Sequence, residues 1–257
     1  MLAQGSRISS PQVNERDSQP SAPIGHCLPM RLGAVEIPRL CLSQRYFPRP
    51  GQRFLYQGRH NPQIGIIADT GTAEPGYAAF TDAELIPHTD GTSVPDPPGL
   101  LLLTCQQPAS HGGNTLLADA ARITATLAEQ HLAALRTLSA PRAAYFGAAG
   151  GYLGPVCEPA GPGRVRIRLR LDDLAMFSAD AAPVIPLLRA VITQHVHAIQ
   201  LRAGQGLLVS NTRWLHGRDR YTGPRVMFRI LGDPLPGIGI QPGFPAPTPG
   251  TQTAEAA

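Results

Sequence analysis

No lysine occurs anywhere in the 257 residues: all 22 basic side chains are arginine, set against 18 acidic ones for a formal charge of +4. Basicity of this kind reflects composition bias more than a nucleic-acid surface, which needs clustered basic residues with aromatic stacking partners. Aromatics are only 5% of the chain and tryptophan occurs once, so no such platform is expected and nucleic acid is excluded as a partner. No run of 18 apolar residues exists and the first residues carry no apolar core of a signal peptide, which argues against a membrane span or secretion and for a cytoplasmic protein. The four cysteines, Cys27, Cys41, Cys105 and Cys157, are widely spaced with no CxxC pair and are read as reduced thiols rather than a disulfide framework or a zinc site.

What is abundant is glycine and proline, 27 of each, in a chain only 16% charged. That balance fits a loop-rich globular domain better than a helical bundle or a disordered chain. Residues 1–24, rich in Ser, Gln, Pro and Asn, read as a flexible leader, and 241–257 as a disordered proline-rich tail that builds no core. Residues 25–240 are then one domain, a size at which sandwiches and barrels commonly fold as a unit.

Within it, strands are expected at Leu32 to Leu42, Gln63 to Asp69, Leu85 to His88, Leu100 to Cys105, Arg164 to Leu171, Leu207 into Trp214 and His216, and Arg225 to Asp233. The run Leu100 to Cys105 reads as buried on both faces, and Arg164, Arg166, Arg168 and Arg170 alternate with apolar residues, one solvated basic face against one apolar face. Two helices are expected. Asp119 to Leu138 carries a stripe of Ile123, Leu127, Leu132, Leu135 and Leu138, and Pro183 to Leu201 carries His195 and His197 on different faces, unsuited to joint ligation. His131 reads as an ordinary histidine and Trp214 as packing. The Gly-rich segment 147–163 is either a mobile loop or a plain connection. Dominant strands without βαβ alternation predict a mainly β fold with flanking helices, an antiparallel jelly roll.

The chemistry centres on His88-Thr-Asp90 and His216. Two residues apart on an extended segment, His88 and Asp90 can reach one ion, and a remote second histidine completes two imidazoles and one carboxylate, the facial triad of non-haem Fe(II) oxygenases. A lone His-x-Asp is weak. Arg225 and Arg229, four apart on the following strand, share a face, and a guanidinium suits a carboxylate bidentately.

His88-Thr-Asp90-Gly, Pro97-Pro-Gly-Leu, Gly112-Gly-Asn-Thr115-Leu, Leu215-His216-Gly-Arg218 and Arg225-Val-Met-Phe-Arg229, in this order from about Leu85 to Asp233, together resemble the taurine dioxygenase/clavaminate synthase-like (TauD/TfdA) family of Fe(II)/2-oxoglutarate-dependent oxygenases. The resemblance implies the double-stranded β-helix of that family, a jelly roll of the cupin type. It implies that His88, Asp90 and His216 bind Fe(II), and that Thr115 and Arg225 hold the distal carboxylate of 2-oxoglutarate. Arg229 would then face the primary substrate or the near side of the co-substrate, with the division of carboxylates between the two arginines left open. With O2 as oxidant, such an enzyme hydroxylates an unactivated C–H bond and releases succinate and CO2. Asp90 disfavours halogenation, since related halogenases lack that carboxylate.

For the substrate, Asp172 and Asp173 resemble the segment that meets an ammonium group in amino-acid hydroxylases of the family. Arg168, Arg170, Arg218 or Arg229 is available for a carboxylate. The expected substrate is therefore amino-acid-like, free, peptidyl or carrier-bound, in specialised metabolism or catabolism. Desaturation or epoxidation by the same centre is the rival outcome, and a jelly-roll binding module with a vestigial metal site the rival class.

Overall fold

The computed structural model describes residues 65–71, 78–234 and 239–248. The expected leader, the expected strand at 32–42 and the end of the tail from residue 249 lie outside them. In chain order the first strands are β1 (Gly65–Ala68), β2 (Leu85–His88), β3 (Leu100–Gln107), β4 (His111–Gly112) and β5 (Thr115–Asp119). Helices α1 (Ala120–Gln130) and α2 (Leu132–Leu138) follow, then β6 (Ala144–Phe146), β7 (Tyr152–Gly154), β8 (Cys157–Gly161), β9 (Arg164–Ile167) and β10 (Ala175–Phe177). Helix α3 (Ile185–Gln194) leads into β11 (Val196–Ile199), β12 (Gly206–Ser210), β13 (Trp214–Arg218), β14 (Tyr221–Thr222), β15 (Val226–Gly232) and β16 (Phe244–Pro245).

Two four-stranded sheets dominate, of order β1-β15-β3-β12 and β11-β5-β13-β2, and every pairing in them is antiparallel. Strand periodicity divides their side chains between two cores. Leu101, Leu103 and Cys105 of β3, Val209 of β12 and Met227 of β15 pack with Leu117 of β5 and the partly buried Trp214 of β13, filling the space shared by the two sheets. The alternate residues of the second sheet, Ala118 and Leu215, face away from it and are covered by Ile123 and Leu127 of α1, Leu138 of α2 and Leu188, Val191 and Ile192 of α3. His216, between Leu215 and Gly217, therefore points into the space between the sheets.

Several local expectations give way to tertiary packing. The single helix over 119–138 is two: Asp119 caps α1 by accepting from the Ala121 N–H, and His131, at φ −143°, breaks the run before α2. The helix expected to reach Leu201 stops at Gln194, so His195 caps it and bonds Thr126 at 2.9 Å, while His197 stands exposed on β11. Leu100 and Leu101 are both buried, and from there the run alternates, with Leu103 and Cys105 buried and Leu102 and Thr104 only half so. The strand expected to run from Leu207 to His216 turns at Asn211–Arg213, placing β12 and β13 in different sheets.

The Gly-rich 147–163 segment contains two short strands, β7 and β8. The basic face is not solvated: Arg168 is fully buried, and Arg166 and Arg170 are ion-paired. Phe244, in the segment expected to be a tail that builds no core, is fully buried, pairs with Val165 and joins the helical core.

Candidate metal centre and its cavities

His88 closes β2 and pairs directly with His216 of β13, so the two imidazoles share a face, ring centroids 4.5 Å apart. A register shift between His216 and Arg218 sets Leu85 opposite Arg218, which puts Leu85 and His88, three residues apart, on one side. Gly217 sits at this crossing, where a Cβ would meet the carbonyl oxygen of Leu85 and lie 2.9 Å from the Pro87 nitrogen.

Asp90 follows in a turn held on every side. Asn211, buried, accepts from the Asp90 N–H at 2.8 Å and donates to the Asp90 carbonyl at 2.9 Å and to the Pro98 carbonyl at 2.8 Å. Thr89 pairs with the Leu169 main chain through its N–H at 2.8 Å and its hydroxyl at 3.1 Å. Arg168 clamps the loop that continues from Asp90, donating to the carbonyls of Thr92, Val94 and Pro95 while paired with the buried Glu158. Its guanidinium lies 3.8 Å from the Tyr152 ring centroid.

Ligand atoms of His88, Asp90 and His216 all fall within 4.8 Å of one another. The His88 Nδ1 lies 3.0 Å from the Ile86 carbonyl oxygen, the hydrogen bond that fixes a metal-binding imidazole's tautomer and leaves Nε2 free. Asp90 Oδ2 is 3.2 Å from His216 Nε2 but not aligned for a hydrogen bond, and it is buried without a partner. A buried, unsatisfied carboxylate oxygen costs about 1–3 kcal/mol or more, so it marks a place where a cation belongs. Burial pushes the Asp90 carboxyl up, but His216, Arg229 and His88 together outweigh it and hold the group well below the usual carboxylate range. Burial and the neighbouring His216 push His88 down to about 4. An ionised carboxylate beside a neutral imidazole is the donor state that a divalent metal requires, and two nitrogens with one oxygen suit Fe(II).

Two cavities adjoin these residues. The smaller, of about 40 Å³, lies between the sheets and is lined by His88, Thr115, His216, Arg218, Arg225 and Arg229 among others. Thr115 pairs with Arg218 across β5 and β13, which sets its hydroxyl into this space. Neither that hydroxyl nor the Arg225 guanidinium, only 8% exposed, makes a hydrogen bond or ion pair among the described residues. Tyr221 lies between Arg225 and Arg218, ring centroid 5.6 Å from the first guanidinium and 4.6 Å from the second. Burial and the charge of Arg218 together lower the Arg225 pKa. Arg218 is tied to the carbonyls of Ala78, Thr81 and Ala83, an anchor for the loop before β2.

The larger cavity, of about 250 Å³, is lined by Glu84, His88, Asp90, Arg170, Asp172 and Arg229, with apolar and small residues between them. Arg170 holds Asp172 bidentately at 2.6 and 2.5 Å. Asp173, by contrast, is exposed and off the cavity wall, and Arg218 lines only the smaller cavity, so of Asp172, Asp173, Arg218 and Arg229, all expected at the substrate, only Asp172 and Arg229 line the larger one. Sequence reasoning missed Asn211, whose only signal is an Asn directly after an apolar strand, and it missed Tyr221 and Glu84, which carry no signal at all.

Two antiparallel sheets with a histidine, aspartate and histidine cluster between them define a β-sandwich with a candidate 2-His-1-carboxylate centre. Residues 42–231 match the Taurine catabolism dioxygenase TauD, TfdA family, and the chain belongs to that family. No curated protein matches. Among solved structures, an asparagine oxygenase in complex with Fe(II), 2S,3S-3-hydroxyasparagine and succinate is similar at 18% identity and TM-score 0.58, covering 66% of this chain and 57% of its own. The non-haem iron oxygenase OrfP in complex with Fe and alpha-ketoglutaric acid is similar at 17% identity and TM-score 0.53, covering 66% and 56%. A further OrfP structure, with Fe, succinate and (3S)-hydroxy-L-Arg, gives 17% and 0.53. The chain thus spans less than two thirds of the length of these proteins.

Proposed function

We propose that the chain is an Fe(II)/2-oxoglutarate-dependent dioxygenase that hydroxylates an amino-acid-like small molecule in specialised metabolism. The observation that carries this reading is the His88, Asp90 and His216 cluster with its orphaned carboxylate oxygen, placed beside a buried guanidinium that lacks an anion. The fold supports it: eight strands divided between two sheets, β1, β15, β3, β12 and β11, β5, β13, β2, follow the order of a jelly roll, as in cupins.

His88, Asp90 and His216 would hold Fe(II). With 2-oxoglutarate and O2, such a centre supplies oxidative decarboxylation of the co-substrate coupled to insertion of one oxygen atom into a C–H bond, giving the alcohol, succinate and CO2. The chain's own residues bind and orient. Arg225 and the Thr115 hydroxyl would take the distal carboxylate of 2-oxoglutarate, which answers the charge that Arg225 otherwise carries unpaired in a buried site. The aromatic ring of Tyr221 lies within cation–π distance of both Arg218 and Arg225. The apolar lining from Ile67, Leu103 and Met227 excludes water from this pocket.

In the larger cavity, Arg170, Arg229, Asp172 and Glu84 offer both signs of charge, the pattern that a zwitterion needs. The asparagine oxygenase and OrfP complexes contain hydroxylated amino acids, which supports the same substrate class here.

The test is an anaerobic titration of the purified protein with Fe(II) and 2-oxoglutarate, following the weak visible charge-transfer band. The band is expected in the wild type, and to be lost in Asp90→Ala and weakened in Arg225→Ala. Absence of both the band and metal retention in the wild type would sink the oxygenase reading. Succinate release then screens amino acids and their derivatives.

A further inference from the structure

Three anchors surround the Asp90 carboxylate, but they act on different atoms. Asn211 fixes its main chain, and His216 stands beside Oδ2. Only Arg229, among the described residues, hydrogen-bonds the carboxylate itself: NH1 donates to Oδ1 at 2.8 Å. The two oxygens are thereby made unequal, one saturated by a cationic donor and the other buried, bare and directed to the histidines.

We propose that Arg229 is a positioning residue for the metal. It holds Oδ1 so that Asp90 meets a divalent cation through Oδ2 alone. The proposal rests on the metal reading of the triad above. A carboxylate free to turn can offer both oxygens to one cation, which occupies two positions instead of one. Held by Oδ1, it leaves the extra position open for a co-substrate.

The side chain is placed for this by the sheet. Arg229 lies in β15 opposite Gly65 of β1 and Leu103 of β3. Arg229 lines both cavities, with the Asp90 contact at the wall between them. Its Nε and NH2 make no hydrogen bond among the described residues, so a ligand in either cavity can use them without disturbing the grip on Oδ1.

Charge and positioning predict opposite signs, which makes the role measurable. A guanidinium close to a divalent cation repels it, so if Arg229 acted only as a charge, its removal would tighten metal binding. If it orients the ligand, its removal weakens binding, by about 10–100-fold for an outer-shell partner.

The experiment is calorimetric titration of the metal-free protein with Co(II) alone, together with its visible spectrum, for wild type, Arg229→Met, Arg229→Lys and, as a control on the same cavity, Arg170→Met. Thermal melts of the metal-free variants check folding, and Arg229→Lys keeps a donor and the charge should the methionine variant not fold. Arg229→Met is expected to bind Co(II) about 10–100-fold more weakly, with a weaker absorption as Asp90 turns to offer both oxygens. Arg229→Lys should recover part of the affinity, and Arg170→Met, which removes a charge from the same cavity without touching Asp90, should bind Co(II) no more weakly than wild type. Unchanged or tighter binding by a folded Arg229→Met with the wild-type spectrum overturns the inference while leaving the metal centre standing. A wild type that binds no Co(II) overturns the metal reading itself, and this inference with it.

Discussion

His88 and His216 are cross-strand partners, paired in register between β2 and β13 with their rings 4.5 Å apart. Residues from distant parts of the chain thus become neighbours through the sheet, and the metal centre inherits the rigidity of a hydrogen-bonded ladder.

Gly217 tests that dependence. A Cβ there would collide with the Leu85 carbonyl, so Gly217→Ala must push β2 away from β13 and separate the two imidazoles. Co(II) affinity, read by calorimetry, should fall at least about tenfold, the scale of a displaced outer shell, while far-ultraviolet circular dichroism keeps its sheet signature. Wild-type affinity would show that β2 can give way without moving His88.

Asn211 satisfies three main-chain or carbonyl bonds in a buried place. Asn211→Ala leaves an N–H and two carbonyls unpaired, at about 1–3 kcal/mol each, so a loss of roughly 3 kcal/mol or more in urea unfolding is expected. Asn211→Asp keeps the acceptor for the Asp90 N–H but sets a buried carboxylate oxygen against the two carbonyls, and should cost at least as much as the alanine at neutral pH.

Glu158 and Arg168 form a buried pair, and breaking one side of such a pair costs about 3–5 kcal/mol. Arg168→Met should be the more damaging change, since it also strands the carbonyls of Thr92, Val94 and Pro95, whereas Glu158→Gln retains an acceptor. In denaturant unfolding the Glu158→Leu, Arg168→Met double variant should cost less than the sum of the two single changes. Additivity would mean that the carbonyl clamp, and not the ion pair, carries the stability.

His88 sets a pH dependence for the metal-free protein. Its pKa is about 4 folded against 6.5 unfolded, so between those values the unfolded chain binds a proton that the folded one refuses. Stability should therefore decline as pH falls from 6.5 to 4 and this contribution should level off below 4. The Asp90 contribution has the other form, present above the ordinary carboxylate range and lost only in stronger acid. Melting temperature against pH should show a shallower decline between 6.5 and 4 in His88→Gln, and an identical slope would remove His88 as its source.

The grouping of His88, Asp90 and His216 was legible because two imidazoles and a carboxylate are chemically distinctive, whereas Thr115 and Arg225 entered through the family resemblance, and no local pattern marked a strand at Thr115. The break at His131 could not, because the stripe from Ile123 to Leu138 continues at helical spacing across it, with Leu132 and Leu135 only half-buried. Arg168 misled for a related reason. Alternation shows that a face is distinct, but what covers it is decided by Glu158 and the 92–95 carbonyls, which no local pattern reveals. Phe244 reached the core from a segment whose prolines suggested otherwise, since one buried aromatic can outweigh a composition that disfavours regular structure.

At the corner between β12 and β13, Asn211 grips Asp90, the Thr212 hydroxyl accepts from the Gly243 N–H at 2.8 Å, and Arg213 forks onto Asp119 at 2.9 and 2.7 Å. Three consecutive side chains tie together parts of the chain from residue 90 to residue 243. As the protein emerges from the ribosome, His88 and Asp90 come out first, and their partner histidine, the corner that steadies them and the arginine on Oδ1 all follow more than a hundred residues later. The candidate metal centre therefore waits on β13, and a product truncated before that strand carries two of the three candidate ligands.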